Sequence, residues 1–460
     1  MIDRYFKMSL AIMLALVCAV AAPALAAELA DSPAGKLVAD YIAALNTGNE
    51  AAMRAFLENN VNAEALKRRP VAPRLEVMRD LQSRWQSAGI KRVVEIADSS
   101  ITVLVATKLG DWFQFRMFHD AANPAKMMGL GIEDSEPPTE VDLVPINYDD
   151  FLKEAARIVE SRSKANEFSG AVLIARHDTP VYHQAVGFAD VGNGTPNRPD
   201  TKFNLGSINK KFTQLAIDML AERGKLSYDD PIGKYLTDYP NKEAAAKVTI
   251  GHLIKMQGGI GDFFGEAFDN TPKDRLRHNN DFIPLFASEK LHFEPGTNNE
   301  YSNGGYILLG AIIEKAGGQD YYGFVRDNIF VPAGMNNTAS FQADDLVGNL
   351  AQGYTTEGSP DGTPRSNIYS RPARGSAAGG GYSTTEDLLK FILAARAQKF
   401  GKASATALGM GIAGGAPGIN AAVESDLKGG FDIIVLSNYD PPAAERLARE
   451  LRILISRVTE

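Results

Sequence analysis

The sequence predicts an α/β protein of the α+β kind, in two modules behind a short N-terminal targeting segment. Apolar residues first recur at helical spacing and then give way to four short strand-like runs. A polar, proline-bearing stretch follows. Beyond it a helical pattern feeds a β-hairpin.

The first 26 residues read as a signal peptide. Arg4 and Lys7 give a basic start, an apolar run extends from Met8 to Ala22, and Ala24-Leu25-Ala26 offers a small-residue cleavage site before Ala27. The run is short for a membrane-spanning helix, and no later stretch is long and apolar enough to span, so no stable membrane span is expected after cleavage. The single cysteine, Cys18, lies inside the run behind Val17, where a lipoprotein signal would carry a small residue. The mature chain is therefore expected to have neither a disulfide nor thiol chemistry, in a periplasmic or secreted location.

The first module covers residues 27–132. Leu37, Val38, Tyr41, Ile42 and Leu45 share a helical face that Asn46-Thr47-Gly48 ends, and a second helix is expected over Glu50–Leu57. Strands are expected over Val93–Ile96, Ile101–Ala106, Trp112–Phe118 and Met127–Ile132. This order of helices and then a meander resembles, loosely, the nuclear transport factor 2-like fold. Trp112, Phe113 and Phe115 are read as core, the usual place of aromatics in strands. Residues 133–149 read as a linker, with Glu133, Asp134, Glu136, Pro137, Pro138 and Pro145 close together. The second module, 150–460, opens with a helix over Asp150–Arg162. A strand over Ala171–Ala175, a turn at His177-Asp178-Thr179-Pro180 and a return strand over Val181–Phe188 come next.

The bulk numbers narrow the function. The 460 residues are 45% hydrophobic and 23% charged, which suits a globular chain of two or three domains. A formal net charge of -8 argues against nucleic acid as a partner. The six histidines are scattered without ligand spacing, so no metal is expected. The chain also has no phosphate-cradling glycine loop, and no cofactor is expected.

The residues best able to carry chemistry begin at Phe203-Asn204-Leu205-Gly206-Ser207-Ile208-Asn209-Lys210. Gly206 permits a tight entry. Phe212, Leu215 and Met219 then share one helical face, and Gly224 is the expected stop. Ser207 would sit in the first turn, with the amine of Lys210 rising beside its hydroxyl. A serine hydroxyl is a poor nucleophile until a base is held within hydrogen-bond reach, and a neutral lysine can serve. By itself this spacing is more often that of a serine capping an amphipathic helix.

The context is more specific. Ser207-x-x-Lys210 is followed by Tyr301-x-Asn303, a pairing that resembles the first two motifs of the β-lactamase-related serine hydrolases, the family of class C β-lactamases, penicillin-binding proteins and many esterases. Asp229-Asp230-Pro231-Ile232, Tyr306–Gly310, Gly380–Leu388 and the late strand Ile433–Asn438 resemble the family too, so the likeness runs from Phe151 to Ile455. Tyr301-Ser302-Asn303-Gly304-Gly305 is also good turn chemistry ahead of an apolar helix. The resemblance implies a β-lactamase/DD-peptidase-like fold, an antiparallel sheet flanked by helices with a helical subdomain between its first and last strands. It implies catalysis by Ser207, Lys210 and Tyr301, with Asn303 binding the lysine or the substrate amide. Gly414 and Gly415 would border the substrate, and the Gly415 amide would help hold an oxyanion.

The third motif departs from the family. Ile412 stands where a histidine or lysine is expected, and Met256 stands where Leu-Leu-x-His-Thr-Ser-Gly would place its histidine. The segment from Phe391 to Gly411 is short and is expected to lack a strand. Isoleucine can neither bind a carboxylate nor move a proton. The expectation is therefore an exported hydrolase of the esterase or peptidase type, acting on a small ester, amide or peptide. The alternative is a catalytically silent relative that binds cell-wall peptide or a protein partner.

Overall fold

The computed structural model describes residues 29, 32–85, 87–107, 112–135, 145–359, 361–407 and 411–459. The expected signal peptide and residues 136–144 of the expected linker lie outside the described residues. Internal contacts divide the chain into two compact units, with the boundary between Leu143 and Val144.

In the first unit, helix α1 (Pro33–Asn46) is capped by Ser32, whose side chain accepts from the Gly35 amide at 2.9 Å. It is followed by α2 (Glu50–Asn60), α3 (Ala63–Arg68) and α4 (Val71–Trp85). Strands β1 (Ala88–Ala97), β2 (Ser100–Thr107), β3 (Trp112–His119) and β4 (Met127–Ser135) form an antiparallel meander in the order β1-β2-β3-β4. The helices cover one face of this sheet. Phe115 is fully buried there with Tyr41 and Trp85, and Phe113 stacks on Trp85 at 4.8 Å between ring centroids. Phe115 is core, Phe113 is partly buried and packs against that core, and Trp112 is half-buried. Glu133–Ser135, read as linker, instead extend β4 opposite Trp112–Gln114.

The second unit opens with α5 (Tyr148–Lys164), capped by Asn147, so the helix begins two residues before the expected Asp150. Strand β5 (Gly170–Arg176) turns through His177 and Asp178, both at positive φ (47° and 66°), into β6 (Thr179–Val186). The chain then builds α6 (Asn209–Glu222), α7 (Asn303–Gly317) and α8 (Thr385–Arg396) amid shorter helical turns. It returns to the sheet as β7 (Gly411–Ala416), β8 (Ile419–Leu427) and β9 (Phe431–Ser437), and closes with α9 (Ala443–Ser456). The five-stranded antiparallel sheet runs β7-β8-β9-β5-β6, so the first and last strands of the unit meet at β5–β9. Between Phe391 and Gly411 the chain completes α8 and forms a 3₁₀ run over Gly401–Ala407, while residues 408–410 lie outside the described residues.

Strand parity decides the layering. Ala171, Leu173 and Ala175 of β5, with Ile434 and Leu436 of β9, face the core that contains α6, α7 and α8. The alternate residues Val172, Ile174, Ile433 and Val435 face α5 and α9. This is the expected antiparallel sheet with helices on both faces and a helical lobe inserted between β6 and β7.

Candidate active site

Where the inserted lobe meets the sheet, Gly206–Ile208 form a 3₁₀ turn that runs directly into α6. Gly206 has φ +50°, and a Cβ there would lie 2.8 Å from the Gly415 nitrogen. On the other side, a Cβ on Gly414 would fall 2.1 Å from the Leu205 carbonyl oxygen and 2.8 Å from the Ser207 nitrogen. Glycines on both strands of this crossing let β7 press its backbone against the turn that carries Ser207. Ser207 and Gly415 come to border the same cavity, whereas Gly414 is buried and does not line it.

The first turn of α6 also fastens the loop opposite. Asn209 Nδ2 donates to the Ser376 carbonyl (2.8 Å), Thr213 Oγ1 to that of Ala377 (2.7 Å) and Lys210 Nζ to that of Ala378 (2.5 Å). Three successive carbonyls are thereby held by one helix face.

Tyr301 and Asn303 reach the site through the start of α7. Ser302 is the N-cap, its Oγ accepting from the Gly305 amide (2.8 Å) and donating to the Gly261 carbonyl (2.9 Å). The turn chemistry and the site reading of this motif are thus the same structure. The cap fixes the exit angle so that the residues on either side of it point to one place.

Ser207 Oγ and Tyr301 Oη share a hydrogen bond at 2.6 Å, and Lys210 Nζ, as an ammonium, donates to Ser207 Oγ at 3.0 Å and to Asn303 Oδ1 at 2.7 Å. Lys210 is only 7% exposed, and burial lowers its pKa from 10.5 to about 7, against the opposing pull of Asp262. The Tyr301 hydroxyl moves the other way, raised mainly by desolvation. At neutral pH the lysine can thus shed its proton while the tyrosine keeps its own. Ser207, Tyr301 and Asn303 line a cavity of ≈ 410 Å³, together with the apolar Phe263, Phe264, Pro417 and Ile419 and the basic Arg371 and Arg374. Arg374 is committed elsewhere, its Nε donating to the Ser340 carbonyl (2.8 Å) and its guanidinium lying over the Tyr322 ring. Among the described residues, no group of three or more His, Cys, Asp or Glu is placed to hold a metal ion, and no helix is long and apolar enough to cross a membrane.

Two departures from the family pattern take on a structural meaning. Ile412 does not line the cavity. It packs with Ile208, Phe212, Leu388, Phe391, Ile392 and Val423 in the apolar layer behind the nucleophile turn. Met256, at φ +58°, supports the second motif from below: its carbonyl accepts from the Glu300 amide (2.9 Å) and its sulfur from the Ser302 amide (3.5 Å). The sequence reading missed Asp262, whose Oδ2 accepts from Asn303 Nδ2 (2.7 Å) and from the Asn303 amide (3.2 Å). The two residues are 41 positions apart, and Asp262 sits in a glycine-rich loop with no periodic pattern to mark it.

An antiparallel sheet with a helical lobe between its outer strands, and a serine where the two meet, is the architecture of β-lactamase-related proteins. The chain belongs to that family: the Beta-lactamase family model matches residues 155–455. Penicillin-binding protein 4* of Bacillus subtilis (strain 168) is 34% identical over 207 residues, which cover 44% of this chain and 45% of that protein. The chain spans about half the length of the curated relatives it matches. Among solved structures, a penicillin binding protein from Bacillus halodurans is similar at a TM-score of 0.57 and 28% identity, over 63% of this chain and 98% of that one. A D-amino acid amidase from Ochrobactrum anthropi SV3 shares the fold at a TM-score of 0.57 and 22% identity, over 66% of this chain and 98% of that one.

Proposed function

We propose that the chain is an exported serine hydrolase that cleaves a small ester, amide or peptide through an acyl-serine intermediate. The observation that carries this reading is the contact of Ser207 Oγ with both Lys210 Nζ (3.0 Å) and Tyr301 Oη (2.6 Å) at the wall of an open cavity.

Neutral Lys210 takes the Ser207 proton directly as Oγ bonds to the substrate carbonyl carbon. The carbonyl electrons move onto oxygen, and the amides of Ser207 and Gly415 stabilise the oxyanion. Donors of this kind contribute on the order of 10²- to 10³-fold each. The start of α6 adds positive potential at the same place. The intermediate collapses with loss of the alcohol or amine, which receives a proton from Tyr301, itself resupplied by the Lys210 ammonium. Water repeats the sequence on the acyl-enzyme and frees the acid. No step requires a side chain at position 412.

The apolar wall of Phe263, Phe264 and Ile419 suits an acyl group with aliphatic or aromatic bulk. The relatives named as penicillin-binding proteins are consistent with a carbonyl substrate of the amide kind. Turnover of an aryl ester, a D-amino acid amide and a β-lactam by wild type and Ser207→Ala is the test. Loss of all turnover in the variant is expected, and a variant as active as wild type on whichever substrate is cleaved would remove Ser207 from the mechanism. Export is supported by the residue 1–26 pattern and is read from the N-terminus of protein recovered outside the cytoplasm. Ala27 or a near neighbour is expected there, and recovery of only the full-length chain in the cytosol would contradict it.

A further inference from the structure

We infer that Asp262 is the positioning residue that aims the lone pair of Lys210 at Ser207, by fixing which end of the Asn303 amide faces the lysine. The inference rests on Lys210 acting as the base.

A neutral amine has two N–H bonds and one lone pair. Around Lys210 Nζ stand two oxygens that can only accept, Ala378 O at 2.5 Å and Asn303 Oδ1 at 2.7 Å. If each takes one N–H, the lone pair is left for the third neighbour, Ser207 Oγ at 3.0 Å. That is the direction from which the serine proton must come.

The two acceptors are not equally secure. Ala378 O belongs to the backbone of a loop pinned by Asn209 and Thr213. Asn303 Oδ1 belongs to a side-chain amide, whose oxygen and nitrogen exchange places by a half-turn at little steric cost. In the exchanged orientation Asn303 Nδ2 would donate to the amine and capture the lone pair. Asp262 forbids this. Its Oδ2 accepts from Asn303 Nδ2 at 2.7 Å, and a carboxylate has no proton to offer an exchanged oxygen, so the half-turn would set acceptor against acceptor. The carboxylate is itself held, Oδ2 by the Asn303 amide (3.2 Å) and Oδ1 by the Phe264 amide (3.0 Å).

Asp262 therefore acts through Asn303. The other groups facing Lys210 are the Ser207 hydroxyl from its own helix, the Tyr301 and Tyr306 rings (4.8 and 5.6 Å from Nζ to centroid), and the Ala378 carbonyl from the loop. Asp262 supplies the negative charge that opposes the burial of the lysine.

Asp262→Asn tests this with one atom changed, because the new amide can donate and so permits the exchanged orientation. Expected are a kcat for aryl-ester hydrolysis at least tenfold lower, a KM within twofold of wild type, and an acid limb of kcat/KM moved to lower pH. The Lys210 midpoint should move the same way in ¹³C-lysine NMR, assigned with Lys210→Arg, because a charge that favours the ammonium has gone. In an Asn303→Ala background the same substitution should change kcat by less than twofold, since the residue it acts through is absent. Independent, multiplying losses in the double variant would overturn the inference. So would a wild-type kcat in Asp262→Asn, or an unmoved Lys210 midpoint. A wild type that neither turns over ester nor takes a serine probe would remove the hydrolase reading instead, and the NMR midpoint would still decide whether Asp262 acts on Lys210.

Discussion

The burial of Lys210 makes the pH dependence of Ser207 reactivity a sharp expectation. Only the neutral amine can take the serine proton. With a pKa of about 7, roughly half of the molecules carry it at pH 7. At the ordinary value of 10.5, about one in three thousand would. The fold thus raises the reactive fraction about a thousandfold at neutral pH, by withholding water from the ammonium. Tyr301 adds no transition in the same range, because desolvation raises its pKa above the ordinary phenol value. The assay is the second-order rate of labelling by a fluorophosphonate between pH 5 and 9, read by intact mass. The rate should climb about tenfold per pH unit below a midpoint near 7 and level off above it. A rate that is flat across the range, or one still climbing tenfold per unit at pH 9, would refute Lys210 as a buried base.

Three substitutions test the geometry. Tyr301→Phe keeps the ring but removes the hydroxyl 2.6 Å from Ser207 Oγ, and turnover should slow by about a hundredfold or more in steady-state assays. Gly414→Ala places a Cβ 2.1 Å from the Leu205 oxygen, against backbone that cannot give way, so β7 must retreat from the nucleophile turn. It should cost about 1–3 kcal/mol in denaturant unfolding, with a parallel loss of Ser207 labelling. Ile412→His inserts an imidazole among Ile208, Phe212 and Phe391, and should lower stability by about 1–3 kcal/mol in thermal melts while leaving substrate preference unchanged.

Much of this was legible in the chain. The Phe212-Leu215-Met219 face foretold α6, and Ser207, Lys210, Tyr301 and Asn303, named from the resemblance of two motifs to the family, meet within hydrogen-bond distance. Elements with a weak apolar face were harder to read. Helix α4 carries Pro73 and a run of Arg, Glu and Asp, so its stripe of Leu75, Met78 and Leu81 does not stand out before the other helices pack on it. Which way Ile412 points was illegible for another reason. Side chains alternate along a strand, and the face is set by how β7 pairs with β8, a register fixed only when the whole sheet forms. Asp262 escaped notice because its importance comes from a contact across 41 residues.

The central claim, that Ser207 is a nucleophile made reactive by Lys210, is tested most directly by the intact mass of the protein after exposure to a fluorophosphonate at pH 8. A single adduct on wild type, mapped to the peptide that contains Ser207 and absent from a folded Ser207→Ala variant, is the predicted result. A folded wild type that takes no adduct, or a Ser207→Ala variant labelled at the wild-type rate, would contradict it.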